Sequence, residues 1–490
     1  MRLLPAIRKA MASAGILCLL AVAQAQIPGA AVSNQAEDNS KMNRPAAPQP
    51  QIPTDSPFLG SVAEGKATDE VLKISILDAI DRGLKTNLGL LLGGEGTRAA
   101  RGARLVALSD LMPKMNGRIA ETSQQTNLAA LGFPGIPGIP KVVGPFKYFD
   151  ARATLTQTIF DLNALNNTRA ATENVHAAEL TYQDARERVV VTIAIIYLNL
   201  LTSQARLESA QAENKTALEI FKQAQDLKNS GVAAGIDVLR AQVQSQVRSQ
   251  QLIAAENDVE KQKLNLARAI GLPAGQKFEP TDKMPEVLPQ PVSLDMALQR
   301  AYDNRNDLKR AESAVRAAEL SKKAAMSKGL PSARFDGDYG DIGPTPTNSH
   351  GTYTASVSLK VPIFNGGKFK GEVEEADAAL KQRNSELGDL KGKIDADVRS
   401  NFLDLQSAIK QFQVAQTSVQ LAAQQLTQSR DRFSAGVADS LEVTQSEEAV
   451  ANANETFIQS LYGLNFTQAR LAFVVGEAEQ RIKQFLGASK

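Results

Sequence analysis

The chain has one cysteine, no tryptophan and two histidines in 490 residues, and only 5% of its side chains are aromatic. A single cysteine cannot make an internal disulfide, so no covalent staple closes this fold. That residue, Cys18, also lies in a segment expected to be removed, which excludes thiol chemistry in the mature chain. His176 and His350 stand far apart without metal-ligand spacing around either, so both are expected at the surface. The shortage of bulky aromatics argues against a set of globular enzyme cores, while the dominance of Ala, Gln, Ser and Leu favours close helix packing. Val189 to Leu201 is strongly apolar but too short to cross a membrane as a helix, so it reads as buried helix. Gly94-Glu95-Gly96-Thr97-Arg98-Ala99 fits the dinucleotide fingerprint loosely, yet no strand precedes it and no βαβ pattern surrounds it. No nucleophile–base set and no phosphate loop is found. An enzyme is not expected, nor is a cofactor or a metal.

The ends are distinctive. Residues 1–25 read as a secretory signal peptide, with Arg2, Arg8 and Lys9 before an apolar run and Ala23-Gln24-Ala25 as a cleavage site. Leu17, just before Cys18, is not the small residue that a lipid-anchored export needs. Removing those three cations from a chain of 55 basic and 53 acidic side chains leaves it one net negative, so nucleic acid is not an expected partner. Residues 26–65, rich in Pro, Ala, Gln, Ser and Asn, read as a flexible lead segment.

The remainder repeats itself. Val292-Ser293-Leu294-Asp295-Met296-Ala297-Leu298 echoes Ile74-Ser75-Ile76-Leu77-Asp78-Ala79-Ile80, and Leu330-Pro331 echoes Met112-Pro113. Val361-Pro362-Ile363-Phe364-Asn365 echoes Gln157-Thr158-Ile159-Phe160-Asp161, and Ala435-Gly436-Val437-Ala438 echoes Ser230-Gly231-Val232-Ala233. The unit is far longer than the ~20–50 residues of a solenoid repeat, so one large supersecondary unit is used twice. The first two echoes recur at an offset of about 218 residues and the last two at about 204–205, so the halves differ only between the Pro and Phe landmarks. Length is held where a rigid element is expected and varies where a surface loop is expected. The extra residues are expected to include Leu131 to Pro140, a Pro/Gly-punctuated stretch that suits neither helix nor central strand.

Each copy holds two kinds of segment. One is helical: Tyr197, Leu200, Gln204, Leu207, Gln211, Asn214, Leu218 and Phe221 step by three and four, as do Phe402, Leu405, Ile409, Phe412, Gln416, Val419, Ala423, Leu426 and Phe433. With no proline from Leu165 to Asn229, the spacing predicts a rod of about 96 Å. Gly231 and Gly436 end the two rods as C-terminal glycines, and a second helical run returns after each. The other kind is β. Tyr353, Ala355, Val357, Leu359 and Val361 alternate with hydroxyls and Lys360, and Ala333, Phe335, Gly337 and Tyr339 alternate with Arg334, Asp336 and Asp338. Weaker alternating runs lie at Met115–Glu121 and Arg152–Ile159. Strands apolar on one face and charged or hydroxylated on the other suit a membrane barrel with a wet lumen, or the edge of a soluble sandwich. Four strands cannot close a barrel, and an open edge is not tolerated in lipid. If these strands enter a membrane, several copies of the chain must build one barrel.

In both halves and in order, from about Leu72 to Gly476, the chain resembles the TolC-like outer membrane efflux proteins. The resemblance rests on the Val292–Leu298 and Ile74–Ile80 starts, the Leu330-Pro331 and Met112-Pro113 strand entries, the Val361–Gly367 strand exit and the Arg432–Val443 tip. The first half departs from the pattern with Asp161-Leu162-Asn163 for Asn365-Gly366-Gly367 and Lys228 for Arg432. The resemblance implies an α+β membrane protein and a homotrimer. Each chain would give four strands to a 12-stranded transmembrane barrel in outer membrane lipid, and long antiparallel coiled-coil helices to a periplasmic α-barrel. The implied division is 66–273 and 292–480 as two repeats, with strand hairpins at about 113–160 and 331–364, helical hairpins at about 161–271 and 365–476, a linker at 274–291 and a tail at 481–490. It further implies a passive exit duct for efflux or type I secretion, with Gly231, Val232, Arg432, Gly436, Val437 and Leu441 at tips that dock to a periplasmic adaptor and face an inner membrane pump. Asp237 and Glu442 match the family's acidic entrance rings, although either could simply complement a helix macrodipole. Gln445 stands where a second acid would be. A periplasmic adaptor or a non-conducting coiled-coil envelope protein is the alternative, disfavoured by two hairpins each preceded by an alternating strand pair.

Overall fold

The computed structural model describes residues 56–132, 138, 140–231, 234–435, 437–438 and 440–487. The signal peptide and the lead segment to residue 55 lie outside them. A short parallel pair comes first: β1 (Leu72–Ile74) lies beside β4 (Phe278–Pro280), strands of three residues each that are too short to show a period. Helices α1 (Ile76–Thr86) and α2 (Leu88–Ser109) follow, and α5 (Leu294–Asn304) and α6 (Asn306–Ser327) match them at 11 and 22 residues. Ser75 caps α1, its Oγ accepting from the Asp78 N–H while the Asp78 carboxylate accepts from the Ser75 N–H; Ser293 caps α5 in the same position.

Four longer strands form one antiparallel sheet in the order β2 (Lys114–Asn127), β3 (Val142–Phe160), β5 (Ser332–Gly343) and β6 (His350–Lys360). The first hairpin, with strands of 14 and 19 residues against 12 and 11, carries the extra length. Of the punctuated stretch, Leu131 ends a short 3-10 turn, and residues 133–137 and 139 lie outside the description.

Each hairpin leads into a long helix: α3 (Leu162–Asn229, 68 residues) and α7 (Lys368–Ser434, 67 residues). At ~1.5 Å per residue both are about 100 Å long. Asp161 starts α3 by accepting from the N–H groups of Asn163 and Ala164 at 2.8 and 3.0 Å. Helices α4 (Gly235–Ala269) and α8 (Ser440–Val474), 35 residues each, return beside them. Gly271 at φ +70° and Gly476 at φ +75° end the returning helices, where a Cβ would meet the Thr86 Oγ1 at 2.5 Å and the Arg305 N at 2.9 Å. Only glycine satisfies both the left-handed backbone and the close approach.

The core lies where the long helices cross the short ones. Val189, Val190, Ile193, Ala194, Leu198 and Leu200 are fully buried against Ile76, Ala79 and Ile80 of α1, Leu266 of α4 and Ile482. The apolar window of α3 is thus an internal core element, 67% buried within the chain. A second cluster joins Ala297 and Ala301 of α5 to Ile394, Val398, Leu464 and Leu471. Tyr197 ties the first cluster to the inter-repeat segment, its hydroxyl lying 3.0 Å from the Ile74 carbonyl and 2.9 Å from Asp282.

Toward the tips the helices pack through a narrow seam. On α7 its buried positions are Val398, Asn401, Leu405, Ala408, Phe412, Ala415, Ala422 and Ser429; on α3 they are Ser203, Ala217 and Ala224. One heptad line therefore holds large apolar residues and the other Ala or Ser, with Asn401 at its start. This shifts the second line by one residue from the expected Ile409, Gln416 and Ala423, and on α3 from Gln204, Gln211 and Leu218, because small side chains let antiparallel helices approach more closely. Leu218 itself is 50% exposed.

Two boundaries also move. Phe58, from the expected flexible lead, packs on the core, and the Asn87 amide donates to its carbonyl at 2.7 Å. The expected tail continues α9 (Ala478–Gly487), which buries Ala478 and Ile482 and holds Glu479 against Arg186.

Candidate functional site

The sheet has two chemically distinct faces. Directly opposed residues of an antiparallel pair share a face. Arg118 opposes Arg152, Thr154 opposes Asp338, Thr156 opposes Asp336, and Asp336 opposes Ser356. The same face therefore carries Lys114, Asn116, Arg334, Thr354, Ser358 and Lys360. The opposite face carries Met115, Ile119, Leu155, Phe335, Tyr339, Tyr353, Val357 and Leu359. Its apolar side chains are open: Ile119 and Tyr353 are each 79% exposed, Val357 69% and Leu359 67%. An apolar face this continuous marks a membrane or protein contact rather than a water-facing surface. The expected alternation holds over Lys114–Ala120, Ala333–Tyr339 and Tyr353–Lys360, and it breaks at Gln157 and beyond Ala120, where Glu121, Lys147 and Asp341 lie on the apolar side.

On the polar face the acids are committed. The Arg152 guanidinium binds Asp150 at 2.7 Å and Asp338 at 3.1 Å. Arg334 binds Asp336 at 2.9 Å, and the Thr156 hydroxyl donates to Asp336 at 3.1 Å. This network fits a wet wall better than acid/base catalysis, since every one of these carboxylates is bound by a cation.

Strands β2 and β6 are the sheet's edges. The helices continue them. On the β2 side, α4 exposes a stripe of Ile236, Leu239, Val243, Val247, Ile253 and Leu264; on the β6 side, α7 exposes Leu403, Val414 and Leu421. Each edge thus presents unpaired backbone groups followed by apolar side chains, which in one chain leaves both uncovered.

At the tips, Gly231 follows α3 at φ +76°, its N–H donating to the Lys228 carbonyl at 2.9 Å. The Val437 N–H donates to the Arg432 carbonyl at 3.0 Å, closing the end of α7. Val437 and Leu441 are exposed, whereas Val232 and Gly436 lie outside the described residues. Asp237 and Glu442 each occupy the first turn of a returning helix, on different hairpins. Each also meets an arginine: Asp237 lies 3.5 Å from Arg240, and Glu442 lies 3.2 Å from Arg432. The structure thus joins an expected docking residue, Arg432, to an expected ring residue, Glu442. Gln445 is exposed one turn further on.

Sequence reasoning missed the polar contacts between and within the hairpins. Arg206 of α3 binds Glu455 of α8 at 2.7 Å, and Arg248 of α4 binds Glu213 of α3 at 3.0 Å. Arg430 lies 3.3 Å from Glu447, and the Ser429 and Ser446 hydroxyls are 2.7 Å apart. Burial pushes the Glu447 carboxyl above its usual range, against the pull of Arg430 and Arg248. These pairs span up to 249 residues of sequence, so no local spacing marks them. His176 lies at the surface beside Glu179, and His350 is exposed at the start of β6.

The family model described as "Outer membrane efflux protein" matches residues 97–272 and again 297–477. Among curated relatives, the alkaline protease secretion protein AprF of Pseudomonas aeruginosa is 21% identical over 345 residues, covering 69% of this chain and 71% of that protein. Outer membrane protein TolC of Escherichia coli is 24% identical over 358 residues, covering 68% and 70%. The crystal structure of the Campylobacter jejuni CmeC outer membrane channel shares the fold, with a TM-score of 0.72 at 17% identity over 90% of this chain and 98% of that one. VceC of Vibrio cholerae does so with a TM-score of 0.70 at 17% identity, over 82% and 96%. The chain belongs to the outer membrane efflux protein family, a family of channel proteins, and resides in the outer membrane with its helical part extending into the periplasm.

Proposed function

We propose that this chain is the passive outer membrane exit duct of a tripartite efflux or type I secretion system, working as a homotrimer. The single observation that carries this reading is the four-stranded sheet with one apolar and one polar face and both edges uncovered. Such a sheet is stable in lipid only when its edges are paired. The β2 edge of one copy meeting the β6 edge of the next is a head-to-tail contact, which closes into a ring. The α4 stripe and the α7 line extend that contact down the helices. Three copies give 12 strands, enough to close around water, whereas two give the eight whose interior side chains fill.

Transport through the duct is passive, with energy supplied by an inner membrane pump reached through a periplasmic adaptor at the tips. Exposed Val437 and Leu441 give the adaptor apolar contacts at the α7–α8 tip, and Gly231 makes the tight turn of the α3–α4 tip. Asp237 and Glu442 form acidic rings tempered by Arg240 and Arg432. AprF is named for alkaline protease secretion and OpmQ of Pseudomonas putida, 22% identical over 349 residues, for pyoverdine export, so both branches of this reading have relatives.

Edge-to-edge cross-linking tests the closure. Asn116→Cys on β2 and Ser356→Cys on β6 place thiols on the polar face of opposite edges. Three strand spacings of ~4.8 Å separate them within one chain, beyond a short bismaleimide. The expected product is a ladder of linked species ending at three chains. A ladder ending at two, or no linkage in membranes, overturns the proposal.

A further inference from the structure

We infer that the strand-lined exit of the duct is an anion-favouring collar whose selectivity is set by Arg118 and Lys360; this rests on the duct reading above. The polar face carries five cations, Lys114, Arg118, Arg152, Arg334 and Lys360, against three acids, Asp150, Asp336 and Asp338. The acids are already spent on two of the cations, since Arg152 takes Asp150 and Asp338, and Arg334 takes Asp336. Lys114 is met by Asp110 at 2.9 Å, just below the strand. Among the described residues no carboxylate lies within ion-pair distance of Arg118 or Lys360.

Their positions give this excess its meaning. Arg118 opposes Arg152 on edge strand β2, and Lys360 opposes Ser332 at the foot of edge strand β6. Ring closure brings these edges together, so the uncompensated charge gathers at each of the three seams between copies. Around Arg118 the same face carries Asn116, Thr154 and Asp150, the last already bound to Arg152; around Lys360 it carries Ser332 and Ser358, and the cleft below holds Glu372, bound to Lys328, and Asp161, which caps α3. A narrow bore with a low-dielectric wall focuses such a field. At the other end of the chain, Asp237 and Glu442 near the entrance are each met by an arginine. The cargo class implied is a solute or polypeptide segment bearing negative charge, favoured at the basic exit.

Side-specific block tests this. The full-length trimer is reconstituted in a planar bilayer, and sodium tripolyphosphate is added to one side at a time. Addition at the strand end is expected to reduce the current, with a clearly weaker block from the helical tips. Arg118→Gln with Lys360→Gln should remove the strand-side block and shift the reversal potential in a potassium chloride gradient toward that of potassium. The charge-retaining pair Arg118→Lys with Lys360→Arg should restore both. Equal block from the two sides, or block and reversal potential unchanged in the glutamine pair, overturns the collar while leaving the duct intact. A trimer that conducts no current overturns both.

Discussion

Helix α3 is built differently along its length. From Val189 to Leu201 its side chains are large, apolar and buried on most sides, touching α1, α4 and the segment around Phe278. From Ser203 to Asn229 only a narrow line is buried, and that line is Ser203, Ala217 and Ala224. The upper part is held by apolar area, which is additive and non-directional. The lower part is held by close approach of small residues and by ion pairs such as Arg206–Glu455 and Arg248–Glu213. Ion pairs taken partly out of water add little net stability, but they are sensitive to alignment. The middle of the rod is therefore fixed by packing and its tip half is set in register, as suits a wall anchored at its centre and carrying a docking tip at its end.

Breaking the packed middle should have the largest effect. Leu200→Ala removes a fully buried side chain and should lower unfolding stability by about 2–5 kcal/mol, read by denaturant titration in detergent. If a polar substitution at exposed Leu218 costs as much, the contrast between the two regions fails. Next is the small-residue line. Ala217→Leu on α3 and Ala422→Leu on α7 should each cost about 1–3 kcal/mol by overpacking, whereas Gln416→Leu, off the seam, should be near neutral.

Acidity gives a smaller effect with opposite signs in the two regions. Glu479 of α9, beside the packed middle, is held below the usual carboxylate range by the hydrogen bond from Arg186. A depressed carboxyl contributes stability that is complete above its unfolded value and is lost as pH falls through its folded value. Glu479→Gln should therefore be destabilising at neutral pH, and its cost should fade on acidification. Glu447, on α8 near the tip, is raised by burial, so stability is lost as pH rises from its unfolded to its folded value. Glu447→Gln should be stabilising at neutral pH, and that gain should fade on acidification. Melting curves of the two variants across pH 4–7 check the signs, and parallel behaviour contradicts the assignment. Smallest is the tip: Arg432→Ala breaks an exposed pair and should change stability by less than about 1 kcal/mol, while its effect on adaptor affinity should be plain by surface-immobilised binding.

Much of this architecture was legible because its periods are long and its landmarks rigid. The Phe160 and Phe364 echoes located both strand-to-helix junctions, and the even spacing to the tips anticipated the matched helices. The seam was legible on one line only. Leu405 and Phe412 declared themselves as large apolar residues, but Ala408 and Ala415 are indistinguishable in sequence from solvent-facing alanines. Strands β1 and β4 could not be seen because three residues carry no period and their partner lies about 200 residues away. Asp237–Arg240 was readable from its helical spacing; Arg432–Glu442 becomes visible only once the chain is known to turn between them.

The central claim is that several copies of this chain enclose a water-filled path through lipid, and conductance across a planar bilayer tests it most directly. Purified protein, shown to be trimeric before reconstitution, should give discrete current steps of uniform size. Trimeric, correctly folded protein that leaves the bilayer electrically silent would contradict the account.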